Sequence, residues 1–171
     1  MDPKERLPAE WPDFDPRRIL RELVSAGVDF VVIGGIAVLM YGYPRATRDL
    51  DIAFAYDDEN LETLGQVLID LDARLRGVDD DPEFVPDGRV LRGIELLTLE
   101  TSAGWLDVHR LPRGVASYER LRRNAERVPI EDFSILVASP DDLIAMKEAA
   151  GRPQDRIDIT ALETIKRLRE R

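Results

Sequence analysis

The sequence contains no cysteine and only one histidine among its 171 residues. Disulfide bonds and thiolate metal sites are therefore excluded, and His109 alone cannot build a histidine-rich zinc site. Any metal bound by this chain would be a hard cation held by oxygen ligands. The carboxylates are therefore the groups to examine for a metal site.

Long hydrophobic runs are also missing. No apolar segment approaches the ~18 residues that a membrane-spanning helix requires. Residues 1–6 mix acidic and basic side chains, whereas a signal peptide has a basic start followed by an apolar stretch. We therefore expect a soluble, cytoplasmic protein with no membrane contact.

A surplus of basic residues is missing too. The formal net charge is -10, which excludes a protein-wide basic surface of the kind that binds nucleic acid nonspecifically. Any nucleic-acid contact would need a local basic patch, and residues 166–171 are one candidate. Such a cluster is also typical of an exposed helix end, where basic side chains interact favourably with the helix dipole.

The chain does contain enough apolar residues for a folded core. Hydrophobic residues make up 44% of the sequence, and its length suits one domain. We expect an N-terminal arm over residues 1–15 and a single domain over residues 16–171. Within this domain, residues 16–112 would form the central part, and residues 113–171 would add a strand and the C-terminal helices.

The order of the predicted elements indicates an α/β fold. The pair Asp15-Pro16 is typical of a helix start, and Gly27 is typical of a helix end. Continuous apolar runs predict buried strands over residues 29–33 and 50–55, with a short helix over residues 36–41 between them. A strand, a glycine turn, a helix and a strand in this order are characteristic of α/β proteins.

The rest of the chain continues this alternation. Leucines at helical spacing predict a covering helix over residues 60–75, and residues 77–88 form a polar loop. The further predicted elements are strands over 90–101 and 104–111 joined as a hairpin, a helix over 117–124, a strand over 133–137, and helices over 140–149 and 154–169.

Two aspartates stand on the predicted strand 50–55 or directly before it. Successive strand side chains alternate, so Asp49 and Asp51 point to the same face. Without basic partners these carboxylates repel each other unless a divalent cation neutralises them. Mg²⁺ suits them because it prefers one or two carboxylates, with water and phosphate oxygens in its other positions. A strand end at the surface is the alternative interpretation.

A glycine pair precedes these aspartates. Gly34 and Gly35 lie between a strand and a helix, where they let the backbone approach a ligand and direct amides toward an anion. A polyphosphate would fit between these amides and the metal. A glycine pair alone also suits a simple turn, so the hypothesis of a nucleotide site depends on the pair occurring together with the aspartates.

A third carboxylate, Asp107, lies among apolar residues on a later predicted strand. In two-metal nucleotidyl transfer, such a group helps to hold the second ion and accepts the proton of the nucleophile. An aspartate at a hairpin end is the alternative interpretation. His109 points the same way as Asp107 in a regular strand, where it would orient the acceptor, assist proton transfer or be structural.

These motifs resemble the nucleotidyltransferase (polymerase beta-like) superfamily, whose pattern is a glycine pair, a short helix, a strand with paired aspartates and a later acidic residue. The stretch Arg45-Ala46-Thr47-Arg48-Asp49 resembles the small bacterial proteins grouped with the AbiEii/AbiGii-type toxins of toxin–antitoxin and phage-defence systems. Residues 141–159 are similar to the C-terminal helical motif of that group. The resemblance covers residues 28–165.

The resemblance implies an α/β nucleotidyltransferase fold, in which helices flank a short mixed β-sheet and a C-terminal helical extension follows. It implies a nucleoside triphosphate as substrate and two Mg²⁺ ions, or Mn²⁺, at Asp49, Asp51 and Asp107. The residues implied to bind the triphosphate are Gly34, Gly35, Arg45, Thr47, Arg48 and Lys147. A solvent-facing helical lysine is the alternative for Lys147. We expect Arg152, Asp155 and Asp158 to connect the last two helices.

We therefore expect a Mg²⁺-dependent nucleotidyltransferase that modifies RNA, tRNA or a protein, as the toxin of a toxin–antitoxin or phage-defence system with a cognate antitoxin. Aminoglycoside and lincosamide nucleotidyltransferases are an alternative, although they usually carry histidine where this chain has Thr47. A catalytically silent nucleotide-binding or antitoxin-like module is another, and the intact aspartates argue against it. No counterpart of the large C-terminal helical domain of many AbiEii-type toxins is present, so the toxin role and a large RNA acceptor stay open.

Overall fold

Within residues 14–78 and 83–171, which the computed structural model describes, seven strands form one mixed sheet. Almost all of the predicted arm, residues 1–13, lies outside these ranges, as do residues 79–82 of the predicted loop. The elements in chain order are α1 (Pro16–Ala26), β1 (Phe30–Ile33), α2 (Gly34–Met40), β2 (Asp49–Phe54), α3 (Asp58–Asp70), β3 (Arg74–Leu75), α4 (Gly88–Arg92), β4 (Leu96–Thr101), β5 (Gly104–His109), α5 (Tyr118–Asn124), β6 (Glu126–Ile130), β7 (Phe133–Val137), α6 (Pro140–Ala150) and α7 (Pro153–Arg169).

Local side-chain chemistry sets several of the helix ends where the sequence predicts them. Asp15 accepts a hydrogen bond from the backbone amide of Arg18 at 3.0 Å at the start of α1. Ser139 accepts one from the amide of Asp142 at 3.1 Å at the start of α6. Gly27 ends α1 with a φ of 80°, a conformation that is easy for glycine and strained for other residues.

The strand order in the sheet is β3-β4-β5-β2-β1-β7-β6. Strand β1 runs antiparallel to β2 and parallel to β7, while β2 runs parallel to β5. All four residues of β1 are buried, as expected for a central strand that is covered on both faces. The predicted α/β class, with a mixed sheet flanked by helices, is confirmed. Among the described residues, no helix is long and apolar enough to span a membrane.

The sheet is exposed on one face where β4 and β5 lie. On β5, Leu106 and Val108 are fully buried, whereas Trp105 between Gly104 and Leu106 is 39% exposed. On β4, Leu97 is buried and Leu96 is 49% exposed. Because strand side chains alternate, one face of this pair packs on the core and the other is open to solvent.

The predicted helix over residues 60–75 is wrong at its C-terminal end. Helix α3 is Asp58–Asp70, and Leu75 belongs to β3 instead. Asp72 has a φ of 53°, and this left-handed turn separates the helix from the strand. Because Leu75 continues the leucine spacing across the turn, hydrophobic periodicity alone does not reveal the break.

The predicted strand over residues 90–101 is also wrong, because its first part is helical. Asp87 accepts a hydrogen bond from the amide of Val90 at 3.0 Å and starts α4, and β4 begins only at Leu96. The hairpin that follows is confirmed by the pairing of Thr101 with Gly104. Strand β6 has no clear sequence signal because it contains Pro129, which a sheet tolerates at its edge.

A buried asparagine connects α3 to the ends of β1 and β2. Asn60 is 6% exposed, and its side-chain oxygen accepts a hydrogen bond from the amide of Asp29 at 2.7 Å. Its side-chain nitrogen donates to the carbonyl of Asp29 at 3.0 Å and to that of Ala55 at 2.8 Å. These bonds satisfy three backbone groups just outside the two central strands.

We therefore expect Asn60→Ala to lower the free energy of unfolding by about 3 kcal/mol, because it removes the partners of the Asp29 amide and the Ala55 carbonyl. Urea denaturation followed by circular dichroism measures this change. Asn124→Ala is the matched control, since Asn124 is exposed and its side chain donates a hydrogen bond to the side chain of Asp142, at 3.1 Å, rather than to backbone groups. A loss of similar size in both variants would contradict the structural role of Asn60.

Candidate active site

Three carboxylates meet where β2 begins. Asp49 and Asp51 lie two residues apart on β2, and Asp51 pairs in register with Asp107 on the parallel strand β5. One oxygen atom from each of the three side chains lies within 4.8 Å of the others. The structure thus brings together the three residues that the sequence motifs predict as metal ligands.

The pKa values of two of these carboxylates are raised. Burial raises the pKa of Asp107 to about 6; the charge of Asp51 adds to this effect, and Arg76 opposes it. Burial, followed by the charge of Asp51, also raises the pKa of Asp49, again against Arg76. Bringing ionised carboxylates together in a partly buried site is therefore unfavourable, and a cation among them would relieve the repulsion.

The donor set fits a hard divalent cation. It consists of partly buried carboxylate oxygens, which Mg²⁺ and Mn²⁺ prefer, and the sequence contains no cysteine that would favour a softer metal. Two neighbours orient the ligands. His109 Nε2 lies 3.1 Å from Asp51 Oδ1, and the buried hydroxyl of Thr47 donates to the carbonyl of Asp49 at 3.2 Å.

The glycine pair packs directly against these residues and forms the first turn of α2. Gly34 has a φ of 68°, and a Cβ atom at this position would lie 2.5 Å from Asp51 Oδ2. A Cβ atom on Gly35 would lie 2.9 Å from Thr47 Oγ1. Both contacts are too short for a side chain, so the close approach of the turn to β2 requires glycine.

A buried ion-pair cluster lies next to the glycine turn. Lys147 Nζ is 2.8 Å from Asp158 Oδ2 and 3.6 Å from Asp155 Oδ1, and both aspartates are at most 1% exposed. Arg45 also pairs with Asp158. The Arg45 guanidinium carbon lies 3.4 Å from the position of a Cβ atom on Gly35. The cluster therefore places a cationic side chain at the glycine turn.

This cluster connects the C-terminal helices to the rest of the site. Lys147 of α6 pairs with two aspartates of α7 and is 6% exposed, so it is not a solvent-facing lysine. Arg152 lies directly before α7, and its Nε donates to Asp155 Oδ2 at 2.9 Å. This bond stays within the start of α7 and does not connect α7 to α6. Burial would raise the pKa of Asp155, but the hydrogen bonds from Arg152 outweigh it and keep that pKa below its usual value. Arg48 is exposed just before Asp49.

Arg76 belongs to the site, although no sequence motif points to it. Its Nη2 donates to Asp107 Oδ1 at 2.5 Å, and its guanidinium lies 4.5 Å from the ring centroid of Trp105. The alternation Arg74-Leu75-Arg76 is the signal that could have identified a strand with one charged face. The leucine periodicity of α3 hides this signal in the sequence.

One family model covers most of the chain. The model described as nucleotidyl transferase AbiEii toxin, type IV toxin–antitoxin system, matches residues 18–167. The chain belongs to the AbiEii family. The predicted family is thus confirmed, and nucleotidyl transfer is the reaction class of this family. A comparison with curated proteins finds no match.

Solved nucleotidyltransferase structures share the fold of this AbiEii family member. The lincomycin-bound crystal structure of the lincosamide antibiotic adenylyltransferase LnuA matches with a TM-score of 0.62 and 19% identity over 88% of this chain and 95% of LnuA. ANT(2'')-Ia in complex with adenylyl-2''-tobramycin has a TM-score of 0.55 and 15% identity, covering 91% and 92% of the two chains. An antigenic nucleotidyltransferase-like protein from Paracoccidioides brasiliensis matches with a TM-score of 0.51 and 18% identity, over 88% of this chain and 73% of that protein. The predicted nucleotidyltransferase fold is therefore confirmed.

Gly34→Ala should weaken Mn²⁺ binding by at least about tenfold, because the new Cβ atom would displace the carboxylate of Asp51. Isothermal titration calorimetry measures this affinity. Gly27→Ala is the matched control, since Gly27 also has a positive φ, of 80°, but, apart from its chain neighbours, no atom of residues 14–78 or 83–171 lies within 4 Å of its Cβ position. It should lose about 1 kcal/mol of stability and retain its Mn²⁺ affinity. Equal losses of affinity in both variants would refute the packing argument.

The raised pKa of Asp107 predicts a pH dependence of metal binding. When the pH is below the pKa of Asp107, about 6, the carboxyl is protonated and a divalent cation must displace a proton to bind it. The affinity for the cation should therefore fall as the pH drops through this value. The same shift adds stability to the metal-free fold at low pH, and this contribution is lost as the pH rises through about 6. Calorimetric Mn²⁺ titrations from about pH 5 to about pH 7.5 measure the first effect. Asp107→Asn should flatten the profile, and an unchanged profile in this variant would assign the pH dependence to another group.

Proposed function

We propose that this protein is a Mg²⁺-dependent nucleotidyltransferase. A nucleophile on an acceptor attacks the α-phosphate of a nucleoside triphosphate, the nucleotide is transferred, and pyrophosphate leaves. The observation that carries the proposal is the convergence of Asp49, Asp51 and Asp107 within 4.8 Å beside the glycine turn. Membership of the AbiEii family supports nucleotidyl transfer as the reaction class.

Asp49, Asp51 and Asp107 are the proposed ligands of two Mg²⁺ ions, with Mn²⁺ as a substitute. When bound, such ions stabilise the attacking and leaving oxygens of the displacement. His109 contacts the carboxylate of Asp51, and the hydroxyl of Thr47 donates to the backbone carbonyl of Asp49. Their contribution is to keep the ligands in position before the substrate arrives.

Asp107 is the proposed acceptor of the nucleophile's proton. Its pKa of about 6 lies close to neutral pH, which suits a group that must be ionised yet able to take a proton. It lies on the exposed face of the β4–β5 pair, the same face as Trp105 two residues earlier. The Asp107 side chain is 13% exposed on this face, and we propose that the acceptor approaches it from there.

The triphosphate is proposed to lie over the glycine turn. Gly34 and Gly35 form the first turn of α2 beside Asp51, and Arg45 lies against Gly35 and pairs with Asp158. Arg48, which is exposed beside Asp49, is proposed to bind the same triphosphate. A negatively charged triphosphate would be attracted to these arginines by direct pairing with the guanidinium groups.

Lys147 remains a predicted phosphate ligand. In this structure its ammonium pairs with Asp158 and Asp155, so a direct phosphate contact requires it to exchange one of these partners. The cluster of Arg45, Lys147 and Arg152 with the two aspartates has three positive and two negative groups. One net positive charge therefore remains beside the proposed triphosphate position, which favours a phosphate there.

The acceptor is proposed to be RNA, tRNA or a protein. The description of the AbiEii family as a toxin of a type IV toxin–antitoxin system supports a toxin role with a cognate antitoxin. Nucleoside triphosphates and these acceptors occur in the cytoplasm, which favours a cytoplasmic location. The second candidate is an antibiotic acceptor, because this chain covers 95% of lincomycin-bound LnuA and 92% of ANT(2'')-Ia in its complex with an adenylylated tobramycin.

The proposed function predicts label transfer from α-labelled nucleotides to an acceptor in the presence of Mg²⁺ or Mn²⁺. We expect the full chain to label a component of total RNA or total protein with at least one of the four nucleotides. Asp49→Asn/Asp51→Asn should reduce this labelling by at least about 100-fold, because it removes two proposed metal ligands. Asp132→Asn is the control, since Asp132 is exposed and pairs with Arg21 away from the site.

Parallel reactions with lincomycin and tobramycin as acceptors separate the two candidate functions. Labelled drug without labelled RNA or protein would support the antibiotic acceptor. The catalytic proposal should be abandoned if the wild-type chain labels no RNA, protein or drug with any nucleotide and either metal.

A further inference from the structure

Arg152 is an exposed arginine that is held in place by a buried carboxylate. Its side chain is 73% exposed, whereas that of its partner Asp155 is 1% exposed. Its Nε donates to Asp155 Oδ2 at 2.9 Å, and its Nη2 donates to Asp155 Oδ1 at 3.2 Å. Its backbone amide also donates to Asp155 Oδ2, at 3.0 Å. A guanidinium bound through two of its nitrogens has a defined orientation, and Nη1 is left for another acceptor.

A chain of ion pairs connects Arg152 to the glycine turn. Lys147 Nζ lies between the two buried aspartates, 3.6 Å from Asp155 Oδ1 and 2.8 Å from Asp158 Oδ2. Asp158 in turn pairs with Arg45, whose guanidinium packs against the glycine turn. Because removing one partner of a buried ion pair is strongly destabilising, these contacts hold Arg45 and Arg152 at the same cluster.

Arg152 also interacts with the carboxylates of β2. Its hydrogen bond to Asp155 raises its pKa above the usual value, burial opposes this effect, and the charges of Asp155, Asp51 and Asp49 raise the pKa further. Coulomb interactions weaken with distance and are screened by solvent, so this effect agrees with a position of Arg152 near Asp49 and Asp51. A phosphate chain that begins at these carboxylates can therefore extend toward Arg152.

The proposed reaction sets the direction of the phosphate chain. The α-phosphate must lie at the carboxylate cluster, because Asp107 is the proposed acceptor of the proton from the attacking nucleophile. The β- and γ-phosphates, which leave as pyrophosphate, then extend over the glycine turn. The side chain of Arg45 at that turn is 20% exposed, whereas that of Arg152 is 73% exposed. The more exposed arginine suits the γ-phosphate, which is the part of the chain farthest from the reacting atoms.

We propose that Arg152 binds the γ-phosphate and makes the site select nucleoside triphosphates over diphosphates. This inference rests on the proposed nucleotidyltransferase function, because it assigns one residue to one part of that substrate. Nη1 of Arg152 donates to a γ-phosphate oxygen while Asp155 keeps the guanidinium in place. A nucleoside diphosphate with its α-phosphate at the carboxylates has no γ-phosphate and therefore lacks this charge-assisted hydrogen bond.

The test compares the binding of triphosphates and diphosphates to the full-length chain with Mg²⁺. Isothermal titration calorimetry uses the α,β-methylene analogues of the four nucleoside triphosphates and of the matching diphosphates, because nucleotidyl transfer cannot cleave them. We expect the wild-type chain to bind at least one triphosphate at least about tenfold more tightly than its diphosphate. Arg152→Gln should lower this ratio at least about fivefold, because it removes the charge at the γ-phosphate. Arg21→Gln is the matched control and should keep the ratio, since Arg21 is an exposed arginine that pairs with Glu131 and Asp132 between β6 and β7.

A second measurement uses the wild-type chain alone. Phenylglyoxal modifies exposed arginine side chains, and mass spectrometry of the peptides identifies the modified residues. A saturating triphosphate analogue should slow the modification of Arg152 at least about fivefold, and the matching diphosphate should slow it less than about twofold, because only the triphosphate occupies Nη1. The modification of Arg21 should proceed at the same rate with either analogue.

A wild-type chain that binds triphosphates and diphosphates equally would overturn the inference while leaving the proposed function intact. An Arg152→Gln variant with the wild-type ratio, or equal protection of Arg152 by both analogues, would overturn it as well. Because the wild-type measurements are themselves decisive, a variant that fails to fold does not protect the inference. A wild-type chain that binds none of the analogues would overturn the inference together with the nucleotide substrate of the proposed function, so the two failures are distinguishable.

Discussion

The in-register parallel pairing of β2 with β5 is the interaction on which the carboxylate cluster depends. It sets Asp51 directly beside Asp107, although 55 residues separate them in the sequence. Side chains at paired positions of parallel strands share a face, so a shift of one residue would turn one of the two carboxylates into the core. The buried residues Leu50 and Ile52 oppose such a shift, because it would expose them to solvent.

Holding these carboxylates together is unfavourable, and the surrounding groups limit the cost. Arg76 offers a positive charge, while Thr47 and His109 offer hydrogen-bonding groups to the two aspartates of β2. Gly34 has no side chain, which leaves room for the carboxylate of Asp51. Burial, followed by the charge of Asp51, still raises the pKa values of Asp49 and Asp107 against the effect of Arg76, so a cation among them would stabilise the ionised carboxylates.

Sequence patterns predict those parts of the fold in which local chemistry and hydrophobic burial agree. The cap Asp15, the buried strand β1 and the paired aspartates of β2 are of this kind. Strand β3 is not predictable from the sequence because it is only two residues long. It follows a left-handed turn at Asp72, and Leu75 beyond this turn still fits the helical leucine spacing of α3. The partnership of Arg76 with Asp107 depends on the pairing of β3, β4 and β5, so no local pattern in the sequence could indicate it.

Pro129 in the edge strand β6 has a consequence for association between molecules. An exposed strand edge is a template for another chain, and a sheet with one solvent-exposed face needs protection against such growth. Proline lacks the amide that an added strand would bond to, and the charged side chains of Glu126 and Arg127 make this edge less attractive to an apolar partner. At the opposite edge, β3 is too short to align a second strand. The sheet can therefore keep one face open to solvent with little tendency to form fibrils.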